Sequence, residues 1–264
     1  MTWIDPSHPR FESLRVRARL AAAARAGVVV PEGLIAHGRG EAFDYFLGEQ
    51  TTPSAARAIR AAAAWLRRAR SPVLSVNGNV AALAAPEIAA LSRALPTLKV
   101  EVNLFHRTPR RAAAIARRLR RAGVRRVLGV RPTARIRGLP SDRAWVDADG
   151  IAQADVCLIP LEDGDRAEAL RRRGCRVISI DLNPLSRTSR VADLPIVDEL
   201  SRALRALRKE LERERSTPRA APAPSAEWLL AEAIAAMRRR LATAATRGRS
   251  RRRRSAAPAS RRRD

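Results

Sequence analysis

A mostly parallel β-sheet with helices on both faces, Rossmann-like in plan and followed by a helical C-terminal extension, is the α/β fold this sequence predicts. Three observations predict it. Six short apolar runs bounded by turn residues recur from Pro72 onward, helical periodicity fills most of the gaps between them, and the segments that leave the runs are polar. The runs are residues 72–76, 98–102, 126–130, 155–160, 176–180 and 194–197, with helical patterns over 86–95, 109–122 and 166–173. A chain of 264 residues with 46% hydrophobic content can bury the core that such a sheet needs.

The elements before the sheet follow from local signals. Ser7 is placed to cap a helix that has Pro9 in its first turn, runs to about Ala26 and stops at Gly27. Apolar residues 28–30 and 34–36 lead into His37-Gly38-Arg39-Gly40 and a helix-like stretch, 41–47. Read as apolar stretch, glycine turn and helix start, this segment forms an anion cradle, with free N–H groups and Arg39 aimed at a ligand. The other reading is a glycine turn capped by an exposed arginine. Residues 53–70 read as an Ala-rich amphipathic helix.

Beyond the last run, Asp198 is placed to cap a helix over 199–213, whose Leu200, Leu204, Leu207 and Leu211 repeat at helical spacing. The expected organisation is an α/β domain over 1–215, a Pro/Ala/Ser linker over 216–225, a helix over 226–246 and a disordered Arg-rich tail over 247–264. The apolar faces of 199–213 and 226–245 together exceed what one small sheet requires, so one of them is expected to form a two-fold interface.

Ligands bind open α/β sheets beyond the carboxyl ends of the strands, so the exits carry the functional candidates. Residues 181–190 read D-L-N-P-L-S-R-T-S-R, offering two arginines, three hydroxyls and an asparagine to a phosphate. A surface loop with solvated charges is the alternative. Asn77-Gly78-Asn79 leaves the first run, residues 103–108 with Arg107 leave the second, and Glu162-Asp163-Gly164-Asp165 leaves the fourth. Asn77 and Asn79 can bond a carboxylate or hydroxyl, or make an ordinary turn. Glu162, Asp163 and Asp165 supply the hard oxygens that suit Mg²⁺, although Asp165 is equally placed to cap a helix from Arg166. Arg39, Arg107, Arg187, Asn77 and Asn79 are the candidates for the chemical step. His8, His37 and His106 are too few and too scattered for a zinc site, and neither a Walker A loop nor a G-x-G-x-x-G fingerprint is present.

A net charge of +26 invites a nucleic-acid reading, but the excess is spread along the chain. Only Lys99 and Lys209 are lysines, and this preference for arginine alongside abundant alanine fits a GC-rich coding bias. Aromatic residues at 3% leave few platforms for stacking bases, so no specific nucleic-acid partner is expected. No stretch of eighteen apolar residues and no secretory signal is found, which predicts a cytoplasmic protein without a membrane partner. Cys157 and Cys175, in or beside predicted strands, read as reduced core residues.

Six words of the sequence resemble one family. They are S-H-P-R at 7–10, G-L-I-A-H-G-R-G-E-A-F-D-Y at 33–45, S-V-N-G-N-V-A-A-L at 75–83, N-L-F-H-R-T at 103–108, P-L-E-D-G-D-R at 160–166 and I-D-L-N-P-L-S-R at 180–187. In this order and spacing they are similar to the archaeal 4-phosphopantoate–β-alanine ligases, or phosphopantothenate synthetases, over residues 3–215 and through the last helix to 245. The resemblance implies a homodimer that joins 4-phosphopantoate to β-alanine with ATP, through an acyl adenylate, with Mg²⁺ expected. It places the ATP contacts on Arg17, Arg39, Asp181, Leu182, Asn183, Arg187, Thr188, Glu199 and Leu200. The family often has Asn where this chain has Glu199, so a side-chain amide contact is lost there while a backbone contact to adenine would survive. The competing expectations are a nucleic-acid binder that uses the Arg-rich tail and a relative that binds a phosphorylated metabolite without ligating it.

Overall fold

The computed structural model describes residues 4–8, 10–213 and 223–255, those from 247 on as backbone only. Three helices come first: α1 (Phe11–Arg25), α2 (Pro31–Leu47) and α3 (Pro53–Arg68). The chain then alternates through β1 (Pro72–Val76), α4 (Gly78–Ala94), β2 (Lys99–Val102), α5 (Pro109–Arg121) and β3 (Val127–Leu128). A small antiparallel pair, β4 (Ala134–Arg135) and β5 (Trp145–Val146), interrupts the alternation. It resumes with β6 (Val156–Pro160), α6 (Gly164–Arg172), β7 (Arg176–Ile180), α7 (Arg187–Val191), β8 (Leu194–Ile196) and α8 (Leu200–Arg213), and α9 (Ala226–Ser255) follows.

Six strands form one parallel sheet in the order β3-β2-β1-β6-β7-β8. Without the hairpin this is the doubly wound order, which reverses direction between β1 and β6. Both faces are apolar because both are covered. Leu74, Val76 and Leu158 enter a core built with α3, α4, α5 and α8, while Val73, Cys157 and Ile159 enter a smaller one built with α6 and the β4–β5 pair. The alternation of side chains along a strand performs this sorting. Cys157 and Cys175 are buried and free, as expected.

Two helices start where a hydroxyl precedes a proline. Thr52 accepts from Ala55 N at 3.2 Å with Pro53 behind it, and Thr108 accepts from Arg111 N at 3.1 Å with Pro109 behind it. Such a cap is worth about 1 kcal/mol. Ser7 does not act this way: its amide and hydroxyl both go to Asp5 Oδ1 at 2.8 Å, and α1 begins at Phe11 with no side-chain cap. Pro9 lies outside the described residues. Gly27 does end α1, at φ +69°, where a residue without a Cβ turns at least cost.

Three predicted elements are redrawn. The glycine turn at 38–40 does not exist: α2 runs unbroken from Pro31 to Leu47, so the N–H groups of the expected anion cradle face the carbonyls of the preceding turn. Helix α4 begins at Gly78 rather than at Pro86, and Pro86 sits inside it near a kink at Ala84. Helix α9 continues to Ser255, past its expected end near 246. Residues 214–222 of the expected linker region and 256–264 of the tail lie outside the described residues. The apolar face of α8 also finds a partner inside the chain, because Leu200, Leu204, Leu207 and Leu211 are buried against α3 and α4.

Candidate functional site

Strand order brings the exits of β1 and β6 side by side, and two asparagines frame the crevice there. Asn77 caps α4, its Oδ1 accepting from Val80 N at 3.0 Å, while its Nδ2 donates to Leu161 O at 2.8 Å across the switch point. Leu161 is held at φ +49°, a left-handed conformation costly for a branched side chain. Gly78 is required by a close approach, since a Cβ there would collide with Val28 O from the α1–α2 connection. Asn79 Nδ2 donates to Gly33 O at 2.7 Å, tying α2 to the start of α4. Read from sequence as a loop, these residues form the cap (Asn77) and first turn (Gly78 and Asn79) of a helix.

Behind the crevice lies a buried ion triad. Glu162 Oε1 pairs with Arg143 Nη2 at 2.7 Å, and Glu162 Oε2 with Arg166 Nη1 at 2.5 Å. Arg166 also donates to Ser75 Oγ at 2.8 Å; it is fully buried, and its Nε and Nη2 have no protein partner. Arg143 adds Asp163 Oδ2 at 2.6 Å and Asn103 O at 3.2 Å. Arg107 braces the neighbouring exits, its Nη2 reaching Gly129 O at 2.7 Å and Val130 O at 2.8 Å, and burial lowers its pKa.

The three acids named for Mg²⁺, Glu162, Asp163 and Asp165, all have arginine partners in this structure. Glu162 is taken by two guanidiniums, Asp163 by Arg143 and Asp165 by Arg187, so their charge is already neutralised. Among the described residues no group of three His, Cys, Asp or Glu is arranged to hold a metal. Nor is Asp165 the cap of α6. Asp163 occupies that position, without a side-chain bond, and Asp165 stands in the first turn.

The exit of β7 links this crevice to a second polar group. Residues 181–190 are a loop only in their first half: Ser186 caps α7, accepting from Ser189 N at 3.1 Å. Asp181 Oδ1 accepts from Asn183 N at 3.0 Å, and Asn183 Oδ1 from Leu185 N at 2.9 Å. Burial raises the Asp181 pKa, opposed by Ser186, the Asn183 amide and the charge of Arg39. Thr188 is buried and donates to Glu162 O at 2.5 Å. Arg187 lies outward over α6, paired with Asp165 and with Glu168 at 2.9 Å. Leu182 and Leu200 are buried.

Helix α2 supplies the facing wall. Glu41 receives Arg17 at 3.0 Å, Ser13 Oγ at 2.5 Å and Tyr45 OH at 3.1 Å. Asp44 receives Arg202 of α8 at 2.7 Å. Glu199 caps α8, its carboxylate accepting from Ser201 N at 2.9 Å and Arg202 N at 2.8 Å. Asp198, expected in that role, instead takes Thr51 Oγ1 and Arg202 at 2.6 Å each and the Glu199 amide at 2.8 Å. The structure thus draws Arg17, Arg39, Asp181 and Glu199 around α2, and Thr188 and Arg187 toward the β6 exit. Sequence reasoning passed over His37, Arg143 and Arg166. The first is one of only three histidines, and the spacing of Glu162 and Arg166 is that of a helical ion pair.

Doubly wound topology, with polar side chains where β1 and β6 end, defines a protein of the open α/β class, in which ligands bind beyond the carboxyl ends of the strands. Comparison narrows the class. The chain belongs to the phosphopantothenate/pantothenate synthetase family, whose model matches residues 54–237. It is 56% identical over 201 residues to a protein of Methanospirillum hungatei, covering 76% of this chain and 82% of that one. It is 54% identical over 204 residues to a protein of Thermococcus onnurineus, covering 77% and 78%, and 50% identical over 218 residues to one of Methanosarcina mazei, covering 81% and 85%. Each of the three is named 4-phosphopantoate–β-alanine ligase. Arg17 and Arg39 precede the span of the family match.

Proposed function

We propose that this chain joins 4-phosphopantoate to β-alanine at the expense of ATP, releasing 4′-phosphopantothenate, AMP and diphosphate for coenzyme A synthesis. Identity of 50–56% to ligases of that name, over three quarters or more of the chain, carries the reading. A carboxylate is a poor electrophile, so its oxygen attacks the α-phosphorus of ATP and diphosphate leaves. The β-alanine amine then adds to the acyl carbon of the adenylate and AMP departs with the electron pair of the broken C–O bond. The protein's part is to orient polyanions and offset developing charge.

In this reading Arg39 and Arg187 answer the phosphates, with Arg17 a further ATP contact, Asp181 the ribose, and the backbone at Glu199 and Leu200 the base. Arg107, Asn77 and Asn79 stand at the crevice where 4-phosphopantoate would enter. Because arginines occupy the acidic residues, Mg²⁺ would be carried in by the triphosphate. Two further parts of the proposal are a cytoplasmic location and a homodimer. No described helix is long and apolar enough to cross a membrane. With the face of α8 covered, α9 is the helix left for the two-fold contact, its Trp228 and Leu241 exposed. Sedimentation at the 29.0 kDa of one chain would rule the dimer out.

Incubation with ATP, Mg²⁺, 4-phosphopantoate and β-alanine is expected to yield AMP and 4′-phosphopantothenate, and unphosphorylated pantoate to give none. ADP as the product would overturn the adenylate route. Absence of any amide product would overturn the ligase.

A further inference from the structure

One ridge of α2, Gly33-His37-Glu41-Asp44, faces inward, the residues following one another at helical spacing of four, four and three. Three of the four have their partners on other elements. Gly33 O accepts from Asn79 of α4, Glu41 binds Arg17 and Ser13 of α1, and Asp44 binds Arg202 of α8. His37 breaks the series. Its Nε2 is buried, with no hydrogen-bond partner in the protein. A buried polar nitrogen left unpaired is destabilising, so such groups in native proteins have a partner, be it protein, water or ligand.

The surroundings say which kind of ligand group belongs there. His37 lies within the fields of Glu41, Glu199 and Arg17, and the start of α8 is fixed against the same ridge through Arg202 and the cap made by Glu199. Burial, with Arg17 adding to it, lowers the imidazole pKa against the opposing pull of the two glutamates, so the ring is neutral at physiological pH. A neutral imidazole in a water-poor place suits the neutral donors and acceptors of a base edge or ribose hydroxyl. A phosphate would favour the imidazolium instead.

We infer that His37 is a nucleotide-positioning residue, its Nε2 making a hydrogen bond to the nucleoside part of the bound nucleotide on the inward ridge of α2. This rests on the ligase reading, from which it differs in its test. Equilibrium affinity for ATP, adenosine and 4-phosphopantoate is measured by calorimetry on the full chain carrying His37→Ala and on a second variant, His37→Gln. His37→Ala is expected to weaken ATP and adenosine alike, about tenfold, and to leave 4-phosphopantoate unchanged. His37→Gln is expected to recover part of the loss, since an amide offers both a donor and an acceptor. In turnover assays the KM for ATP should rise with little change in kcat.

Unchanged affinity for ATP in both variants overturns the inference, as does a loss confined to ATP with adenosine unaffected, which would mark a phosphate contact. A fall in affinity for all three ligands, with a lowered melting temperature, would mark a merely structural role and overturn it too. Amide formation by the unsubstituted protein, read separately, decides the ligase itself.

Discussion

Glu162→Gln removes the one anion shared by two buried guanidiniums, and its consequence can be worked from the geometry. The side chains of Arg166, Glu162 and Arg143 are 0%, 1% and 7% exposed, so water cannot replace the lost partner. After the substitution Arg166 keeps Ser75 Oγ as its charge-neutral acceptor, with Nε and Nη2 already unpartnered. Breaking a buried pair by removing one member costs about 3–5 kcal/mol. In a chain of this size each kcal/mol moves the melting temperature by about 2–4 °C, so a drop of roughly 6–20 °C is expected by circular dichroism. Adding Arg166→Met to Glu162→Gln should recover part of the stability, because the stranded charge goes with it. A change of about 2 °C or less in the single variant, or a double variant worse than the sum of its parts, would refute the argument that these ions are desolvated and mutually dependent.

Two further predictions follow from particular side chains. Glu101 accepts Asp147 N at 2.9 Å and Ile151 N at 2.6 Å, and burial pushes its pKa up to about 7 despite those bonds and the charge of Arg166. The native state therefore holds this proton more tightly than the unfolded chain, whose carboxyl loses it near 4.5. Stability from this group is full below that value, declines as pH rises toward 7 and is then flat, a difference on the order of 3 kcal/mol. Urea denaturation at pH 5 and pH 8 should show the decline, and Glu101→Gln should flatten it; an equal slope in both proteins would remove Glu101 as the cause. Arg187→Ala is expected to lower turnover roughly thirty- to a thousandfold if its guanidinium leaves Asp165 for a phosphate in the transition state. As an exposed residue it should shift the melting temperature by only a few degrees. Arg39→Ala should act alike and Arg110→Ala, exposed on α5, should be near-silent. Equal harmlessness of Arg187→Ala and Arg110→Ala to turnover would leave residues 181–190 a surface segment.

Strands were legible because burial on both faces of a parallel sheet leaves uninterrupted apolar runs. Pro72–Val76 and Arg176–Ile180 fall on the predicted bounds and the other four strands of the sheet lie within theirs, whereas the two-residue strands β4 and β5, too short to leave an apolar run, were missed. Caps were less legible. Asp198 and Glu199 are adjacent acids, and either can reach the first free amides of α8. What chose Glu199 was the demand on Asp198 of Arg202, one turn along, and of Thr51, which reaches it from far away in sequence. The glycines of α2 misled for a related reason: tertiary contacts with α1, α4 and α8 hold as a helix a segment whose own propensity favours a turn.

The sequence by itself determined the alternation of strands and helices, the polarity of the strand exits, and the words that mark the family, since each is a property of neighbours along the chain. Only the tertiary structure decided which charges are free. In a chain with fifty arginines, composition cannot tell Arg166, sealed beneath the sheet, from Arg110, open to water. Nor can it show that the acidic cluster at 162–165 is already neutralised, or that His37 is the unpaired member of its ridge. Those facts depend on burial and on partners far apart in sequence, and burial is what turns a solvated charge into one that must be answered.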